Sequence, residues 1–555
     1  MQLKRLLSIL LVIVLAFSMV ACNSNNAANE NALQESSESV ENISDEANES
    51  PEEKVLRIDG DNLGYPSVYT VSSKGRGYLL TSYIFDTLTW KDETGIVPLI
   101  AKEWKVSNDN KTWTFYLNEN AKFTDGKELT SEDVKFSFEY IKEHPYQWVS
   151  VSPVKEVRVI DKYTVEIELN DIYAPFITDI AGNVPIMPKH IWENVTEPEK
   201  FNTEDAVIGS GPLKLVQYDK EAGSYIFSAN ENYFLGKPVI DKLIISASNN
   251  PKEALENGEL NGANNIKYGE AKQLKEAGKL KVIEGPGFWV GRLYFNFAVE
   301  EFNIKEFRQA LYYGIDRDEY VTKALKGGAD PGNPGHIHPK SEWYYKDVKS
   351  YEYNPEKSKE LLSNLGMKDT NSDGILEYKD KELKYELIAS EGDIPQTEML
   401  KKYMNDIGID LEVKALDSKS VDSMIKEGKF TLALSGHGSF GGDPVLLQRF
   451  VSSPSSGSTP EITTQGGANW SNEEFNRIFE EQLKELDKDK RYNQVARLQE
   501  IIAEELPTLT LNYRKITFAY DDNIFDGWFF TKDGVAIAVP TVQNKLVFIK
   551  GTWNK

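Results

Sequence analysis

Residues 112–117 have the sequence Thr-Trp-Thr-Phe-Tyr-Leu, and residues 129–134 have the sequence Leu-Thr-Ser-Glu-Asp-Val. In the first stretch every second residue is strongly apolar, which is the period of a strand with one buried face. In the second stretch Thr130 is followed three residues later by Asp133, a spacing that resembles a capping box. Together they predict a strand and then a helix.

The same two patterns recur along the chain. Alternation within residues 157–169 predicts a hairpin, and residues 304–311 place three apolar side chains on one face of a helix. Near the C-terminus, Ser471 and Glu474 predict the N-terminal cap of another helix. Strand and helix patterns alternate from residue 54 onward, so we expect an α/β fold.

Length, composition and charge limit the kind of protein. The chain has 555 residues, 40% of them hydrophobic, which is too long for one core and predicts two or three structural units. Its formal net charge of -24 argues against a nucleic-acid partner, because a phosphate backbone requires a basic face. Such acidity favours solubility, and we expect a monomer.

The first residues predict export and a lipid anchor. Lys4 and Arg5 precede an apolar run over residues 6–20, which is typical of a secretory signal and short for a membrane span. Residues 19–22 are Met-Val-Ala-Cys, a sequence that resembles the lipobox of bacterial lipoproteins. The resemblance implies a signal peptide over residues 1–21 and lipidation of Cys22, with the protein held on the extracytoplasmic face of the cell membrane.

Two other interpretations of this end are an uncleaved signal anchor and an unmodified cysteine. Residues 22–53 follow the apolar run and contain nine acidic residues and no basic one. A segment of this composition buries too little apolar surface to offset the entropy of ordering. We therefore expect a disordered acidic tether.

Several segments in the right order resemble the large solute-binding proteins of the peptide and nickel ABC transporter family. The strongest is Pro-Leu-Ile-Ala-Lys-Glu-Trp at residues 98–104, together with the two stretches quoted first. The others are residues 123–126, 188–192, 209–213, 230–233, 293–296 and 308–316. The resemblance implies a bilobed fold like that of type II periplasmic binding proteins, with an inserted subdomain and a ligand cleft between hinged lobes.

On this resemblance the chain divides into a discontinuous first lobe, a subdomain and a second lobe. The first lobe is expected at residues 54–95, 205–290 and 512–555. The inserted subdomain is expected at 96–204 and the hinged lobe at 291–511.

The function that this resemblance implies is capture of a peptide or peptide-like small molecule by hinge closure, and its delivery to an ABC transporter permease. A nickel chelate or a glycan is an alternative ligand, and a ligand-sensing lipoprotein is an alternative role. An exported hydrolase is disfavoured, because the chain lacks the Gly-x-Ser-x-Gly, His-Glu-x-x-His and phosphate-loop motifs. We expect no catalytic residues and no cofactor.

Two loops carry residue types that bind metals. Asp369, Asn371, Asp373 and Asp380 have the spacing of a calcium loop, although Glu is usual at the last position and a strand pattern follows instead of a helix. We favour a plain polar turn over a calcium site here. His336 and His338 alternate in a Pro- and Gly-rich loop; we favour a solvated loop over a shared metal.

The most informative segment for the ligand is Ser-Gly-His-Gly-Ser-Phe-Gly-Gly-Asp-Pro at residues 435–444. In peptide-binding relatives an aspartate four residues before the proline pairs with the peptide's α-amine, and a tryptophan precedes it by three residues. Here Phe440 and His437 occupy those positions. Asp443 precedes the proline, where it either caps a turn or supplies the carboxylate from another angle.

Two further loops are expected to line the cleft, at residues 65–76 and 285–291. Aromatic faces with one cation suit a ligand that carries a carboxylate or a flat group. The candidate ligand-binding residues in these loops are Tyr65, Tyr69, Arg76, Phe288 and Trp289.

Overall fold

Strands and helices alternate in the computed structural model of the protein, which describes residues 52–72, 75–264, 266–438, 442–450, 470–535, 539 and 541–555. Residues Glu53–Lys555 form one compact unit. The strands are β1 (Val55–Asp59), β2 (Thr89–Lys91), β3 (Ile96–Pro98), β4 (Ala101–Val106), β5 (Thr112–Leu117), β6 (Val154–Asp161), β7 (Thr164–Leu169), β8 (Leu213–Asp219), β9 (Ser224–Ala229), β10 (Lys242–Ser246), β11 (Gly262–Ala263), β12 (Lys281–Phe295), β13 (Ala329–Pro331), β14 (Glu377–Tyr378), β15 (Lys381–Glu382), β16 (Lys384–Ser390), β17 (Asp410–Leu416), β18 (Leu432–His437), β19 (Thr508–Tyr520), β20 (Phe525–Asp526) and β21 (Thr552–Trp553). The α-helices are α1 (Gly75–Ile84), α2 (Ser131–Glu143), α3 (Lys189–Trp192), α4 (Pro251–Glu256), α5 (Tyr268–Ala277), α6 (Lys305–Tyr313), α7 (Arg317–Lys323), α8 (Pro355–Asn364), α9 (Ile394–Asp406), α10 (Ser418–Lys426), α11 (Glu473–Gln482), α12 (Lys488–Glu505) and α13 (Val547–Lys550).

The local predictions are confirmed, with one correction. The alternating stretch is β5, and Thr130 and Asp133 form a capping box at the start of α2. The predicted hairpin is the β6–β7 pair. The cap of α11, however, is Asn472 and not Ser471: the Asn472 side chain accepts a hydrogen bond from the backbone N–H of Phe475 at 2.9 Å.

An eleven-stranded mixed sheet runs through the molecule in the order β17-β16-β18-β12-β19-β11-β1-β10-β9-β8, with β13 also pairing with β19. A separate four-stranded antiparallel sheet has the order β4-β5-β7-β6. The long antiparallel pair of β12 and β19 connects the two ends of the large sheet. Its register shifts between Pro286 and Val290, so the ladder is irregular in the middle.

Two large hydrophobic cores lie on either side of this irregularity. The first is built from residues between 56 and 245 and between 518 and 548, and includes the four-stranded sheet. The second is built from residues between 290 and 513. Because β12 and β19 contribute to both, these two strands are the part of the main sheet that continues from one core to the other.

A buried ion pair fixes the C-terminal segment to the first core. The ammonium group of Lys545 lies 2.5 Å from a carboxylate oxygen of Asp86, and both side chains have no exposed surface. The ammonium also lies 4.1 Å from the ring centroid of Trp90. A buried charge requires such a partner, so this pair holds residues near 545 against α1 and β2.

Candidate functional site

In the second core the main sheet changes from parallel to antiparallel pairing, and the carboxyl ends of the parallel strands lie at this change. β16 pairs in parallel with both β17 and β18, whereas β12 pairs with β18 in the antiparallel sense. Ser390 and His437 end β16 and β18, and His437 lies opposite Val290. Ligands of α/β sheets bind outside the carboxyl ends of strands, at such switch points.

Trp289 lies at this switch point and is accessible. It is 39% exposed, beside the irregularity in β12. A Cβ added to Gly436 would lie 2.5 Å from the indole nitrogen of Trp289, so the indole packs directly on the backbone of β18. Its neighbour Phe288 is buried, has a positive φ of 45°, and meets the ring of His338 edge-on at 5.5 Å. Trp289 therefore offers a surface to a ligand, whereas Phe288 packs inward.

Arg514 is a cation at the same place that sequence reasoning missed. Its guanidinium lies 5.8 Å from the ring centroid of Trp289, and Nη2 donates to Oδ1 of Asp393 at 3.3 Å. Asp393 also accepts from the Ser390 hydroxyl at 2.8 Å and from the Gln396 amide at 2.5 Å. No sequence spacing links Arg514 to Asp393, which is 121 residues away.

Asp443 has a strong partner of its own. Arg491 donates to both carboxylate oxygens of Asp443, at 3.0 and 2.7 Å, and both side chains are largely buried. Asp443 also accepts from the backbone N–H of Val445 at 2.9 Å and so caps the 3₁₀ turn Pro444–Phe450. The turn-capping role is confirmed, and contact with a ligand stays a prediction.

A cavity of about 360 Å³ lies beside this ion pair. Its walls come from both core regions. Lys91, Thr178 and Asp533 belong to the first, and Asp443 and Arg491 belong to the second. Burial lowers the pKa of Lys91 and raises that of Asp533. The volume suits a small solute.

Asp179 lies close to this cavity. Burial raises the pKa of its carboxyl to about 6, and the negative charge of Asp443 adds to this. The hydroxyl of Tyr173 donates to Asp179 at 2.5 Å and opposes the shift. Titratable groups with perturbed pKa values thus collect around the cavity between the cores.

A direct contact joins the two sides close to this cavity. The backbone N–H of Ala174 donates to the carbonyl of Leu483 at 2.7 Å, and the ammonium of Lys484 lies 2.7 Å from Asp171. Tyr173 packs against both cores. Residues 171–174 and 483–484 therefore form a contact between the two core regions, called the inter-core contact.

The predicted ligand residues of the loop at 65–76 form hydrogen bonds and an ion pair with residues of the first core region. The Tyr65 hydroxyl donates to the Thr203 carbonyl at 2.9 Å, and that of Tyr69 to the His144 carbonyl at 2.7 Å. Arg76 pairs with Asp61 at 2.8 Å. Their contact with a ligand stays a prediction. Phe440 and Cys22 lie outside the described residues, and for His437 the backbone alone is described.

The predicted calcium loop has the geometry of a polar turn. Asp369 accepts from the backbone N–H groups of Ser372 and Gly374, at 2.6 and 2.9 Å. Asn371 and Asp373 likewise accept from nearby backbone N–H groups. Across the described ranges, no group of three or more His, Cys, Asp or Glu residues is placed to hold a metal ion. The calcium prediction, which also included Asp380, therefore gains no support.

The expectation of a solvated histidine loop is wrong. His336 and His338 are fully buried, because β19 and the 3₁₀ turn Pro444–Phe450 pack over them. His336 bonds to Thr510 at 2.7 Å, and Nδ1 of His338 accepts from the backbone N–H of Lys340 at 3.0 Å. Burial lowers the pKa of His338 to about 4.

Comparison with known proteins agrees with the class that this geometry defines, a two-core α/β protein with a ligand-sized cavity between the cores. The model of the bacterial extracellular solute-binding proteins, family 5 Middle, matches residues 95–458. The oligopeptide-binding protein AppA of Bacillus subtilis is 27% identical over 434 residues, which cover 74% of this chain and 76% of AppA.

Two solved structures have the same fold. AppA from Bacillus subtilis with a nonapeptide has a TM-score of 0.70 at 22% identity, covering 88% of this chain and 98% of that one. NikZ from Campylobacter jejuni with Ni(L-His) has a TM-score of 0.72 at 23% identity, covering 89% and 99%.

The chain belongs to the bacterial extracellular solute-binding proteins of family 5. It is a solute-binding protein of the ABC transporter type and not an enzyme, and its fold is the bilobed α/β fold of that family. In the part of the chain that the structure describes, no helix combines the length and the apolar character needed to span a bilayer.

Proposed function

We propose that this protein captures a peptide or peptide-like solute between its two lobes and delivers it to an ABC permease. The observation that carries the proposal is the cavity of about 360 Å³, whose walls come from both cores. The accessible Trp289 and the cation Arg514 lie at the switch point of the eleven-stranded sheet. The relatives include an oligopeptide-binding protein and a complex with a nonapeptide, which favours a peptide as the solute.

Capture is proposed to occur by rotation about β12 and β19. These strands connect the two cores, and their ladder is irregular between Pro286 and Val290. Such a break lets a few backbone dihedrals absorb a domain rotation. We propose a first lobe at 54–95, 205–290 and 512–555, a subdomain at 96–204 and a hinged lobe at 291–511. The second core, built from residues between 290 and 513, supports the hinged lobe.

Native mass spectrometry of the purified protein, followed by calorimetry with a mixed set of di- to pentapeptides, tests the ligand class. We expect co-purified peptide masses and saturable binding of a subset. A co-purified nickel chelate or glycan, without peptide binding, would replace the proposed ligand. Genes for a permease and an ATPase beside this gene would favour transport over sensing.

Anchoring through Cys22 is part of the proposal and rests on the lipobox-like sequence at residues 19–22. Cys22→Ser removes the thiol that would be acylated, so we expect the protein to leave the membrane fraction or to remain unprocessed. Fractionation and gel mobility of the expressed full chain measure this. Identical behaviour of the variant and the parent would rule out the anchor.

A further inference from the structure

The guanidinium of Arg514 is held by one ion pair that engages only part of its N–H donors. Asp393 is its only acidic partner within ion-pair distance in the described part of the chain, through one nitrogen at 3.3 Å. A guanidinium has several N–H donors in a planar fork, which matches a carboxylate through two parallel bonds. The side chain of Arg514 is 48% exposed, compared with 19% for Asp393. Donors of Arg514 therefore remain accessible to a solute.

Asp393 holds Arg514 but is poorly suited to bind a solute itself. One of its oxygens accepts from the Ser390 hydroxyl, and the other accepts from Gln396 and Arg514. A solute amine would have to displace one of these donors. A solute carboxylate needs only the open side of the guanidinium, so this corner selects for an anion.

Trp289 adds a second kind of contact next to this cation. Its indole is held by close packing on Gly436, while 39% of the residue stays exposed. An indole in this setting supports a flat or apolar group by stacking. Since Arg514 lies 5.8 Å from the ring centroid, an anion on the guanidinium and an apolar group on the indole would belong to adjacent parts of one solute.

We infer that Arg514 and Trp289 form a subsite for a solute carboxylate and the bulky apolar or aromatic group next to it. A peptide with a free C-terminus and a large last side chain has this chemistry. The inference rests on the proposed function and narrows it. The cation proposed to bind the solute is then Arg514 and not Arg76, which pairs with Asp61.

Calorimetry with matched peptide pairs tests the carboxylate. Each pair has one sequence ending in phenylalanine, as the free acid and as the C-terminal amide. For the parent protein we expect the acid to bind more tightly than the amide by on the order of 30-fold, the value of a charge-assisted hydrogen bond. In Arg514→Gln this ratio should fall to about one, because the guanidinium is gone. Arg477→Gln, an exposed arginine on α11 that pairs with Glu481, is the matched control and should keep the parent ratio.

The ratio is measured within each variant, so a partly unfolded preparation does not mimic the result. An unchanged ratio in Arg514→Gln, or equal binding of acid and amide by the parent, would overturn the inference while leaving peptide capture intact. Failure of the parent to bind any peptide would instead overturn the proposed function.

Trp289→Leu tests the second half of the subsite. In the parent, peptides ending in phenylalanine should bind more tightly than those ending in alanine, by about ten-fold. In Trp289→Leu this preference should shrink to a few-fold, while the acid-to-amide ratio persists. A preference that survives the substitution would remove Trp289 from the subsite.

Discussion

Arg491 holds the carboxylate of Asp443 with both terminal nitrogens, at 3.0 and 2.7 Å, and the two side chains are 8% and 13% exposed. The pair joins α12 to the turn that follows the predicted ligand loop. Nε of Arg491 also donates to Gln482 at 3.0 Å, and the guanidinium lies 4.9 Å from the ring centroid of Trp343. A carboxylate this fully engaged is a weak partner for a ligand amine.

Asp443→Asn should destabilise the protein by about 3 kcal/mol, because it leaves the guanidinium of Arg491 buried without its counter-charge. The free energy of unfolding in urea measures the effect. Glu481→Gln breaks the exposed pair with Arg477 in α11 and should cost about 0.5 kcal/mol or less. Equal small losses for both variants would contradict the structural role of the buried pair.

Phe440→Asp should increase the affinity for peptides with a free α-amine, because it restores a carboxylate at the position where peptide-binding relatives have one. We expect a gain of about ten-fold or more over N-acetylated counterparts. Calorimetry with both peptide sets measures it, and Ser439→Asp is the matched control with the acid one residue away. Tight binding of free amines by the parent, abolished by acetylation and unaffected by Asp443→Asn, would contradict this account of the loop.

Lys484→Ala should weaken ligand binding by a few-fold, because it removes the charged part of the inter-core contact. Lys484 and then Lys111 hold the pKa of the Asp171 carboxyl well below its usual range. The effect should shrink at high salt, since the pair is partly exposed. Calorimetry at low and high salt checks this, with Lys357→Ala, from an exposed pair on α8, as the control. Parent-like affinity at both salt concentrations would show that the contact does not stabilise the closed protein.

Asp179 predicts a pH dependence of stability. Its native pKa of about 6 lies above the ordinary 3.8, so between these values the native protein binds the proton more tightly than the unfolded chain. The group therefore costs nothing below about pH 4, and its stability cost grows as pH rises from about 4 to about 6 and is constant above that. Asp443 facing it raises the pKa further, whereas Lys91 and Arg491 lower it.

Asp179→Asn should accordingly gain stability relative to the parent as pH rises from 4 to 7.5, by about 2 kcal/mol. Urea unfolding of both proteins across this range measures the difference. Asp171→Asn is the control: the pKa of the Asp171 carboxyl is lowered, so its contribution changes below about pH 4, and the difference between this variant and the parent should stay nearly constant over this range. A parent-to-variant difference that does not change with pH would contradict the raised pKa.

Local patterns were predictable from the sequence, because their causes lie within a few residues. β5 follows from alternation, and α2 from the capping box at Thr130 and Asp133. Partners far apart in the chain were not predictable. Arg491 lies 48 residues from Asp443, and no spacing rule connects them.

The candidate site was predictable only in part, for the same reason. Trp289 was a predicted ligand residue and is accessible, but Arg514, which lies beside it, has no local signal. A polar, Gly- and Pro-rich sequence at His336 and His338 suggested solvent exposure. Their burial depends on β19, which is more than 160 residues further along the chain.

Small-angle X-ray scattering during titration with a peptide that calorimetry shows to bind is the most direct test of capture by lobe closure. We expect the radius of gyration to fall as the site fills and to reach a plateau at saturation, because rotation about β12 and β19 brings the two cores together. A radius of gyration that stays constant from free protein to saturation would contradict it.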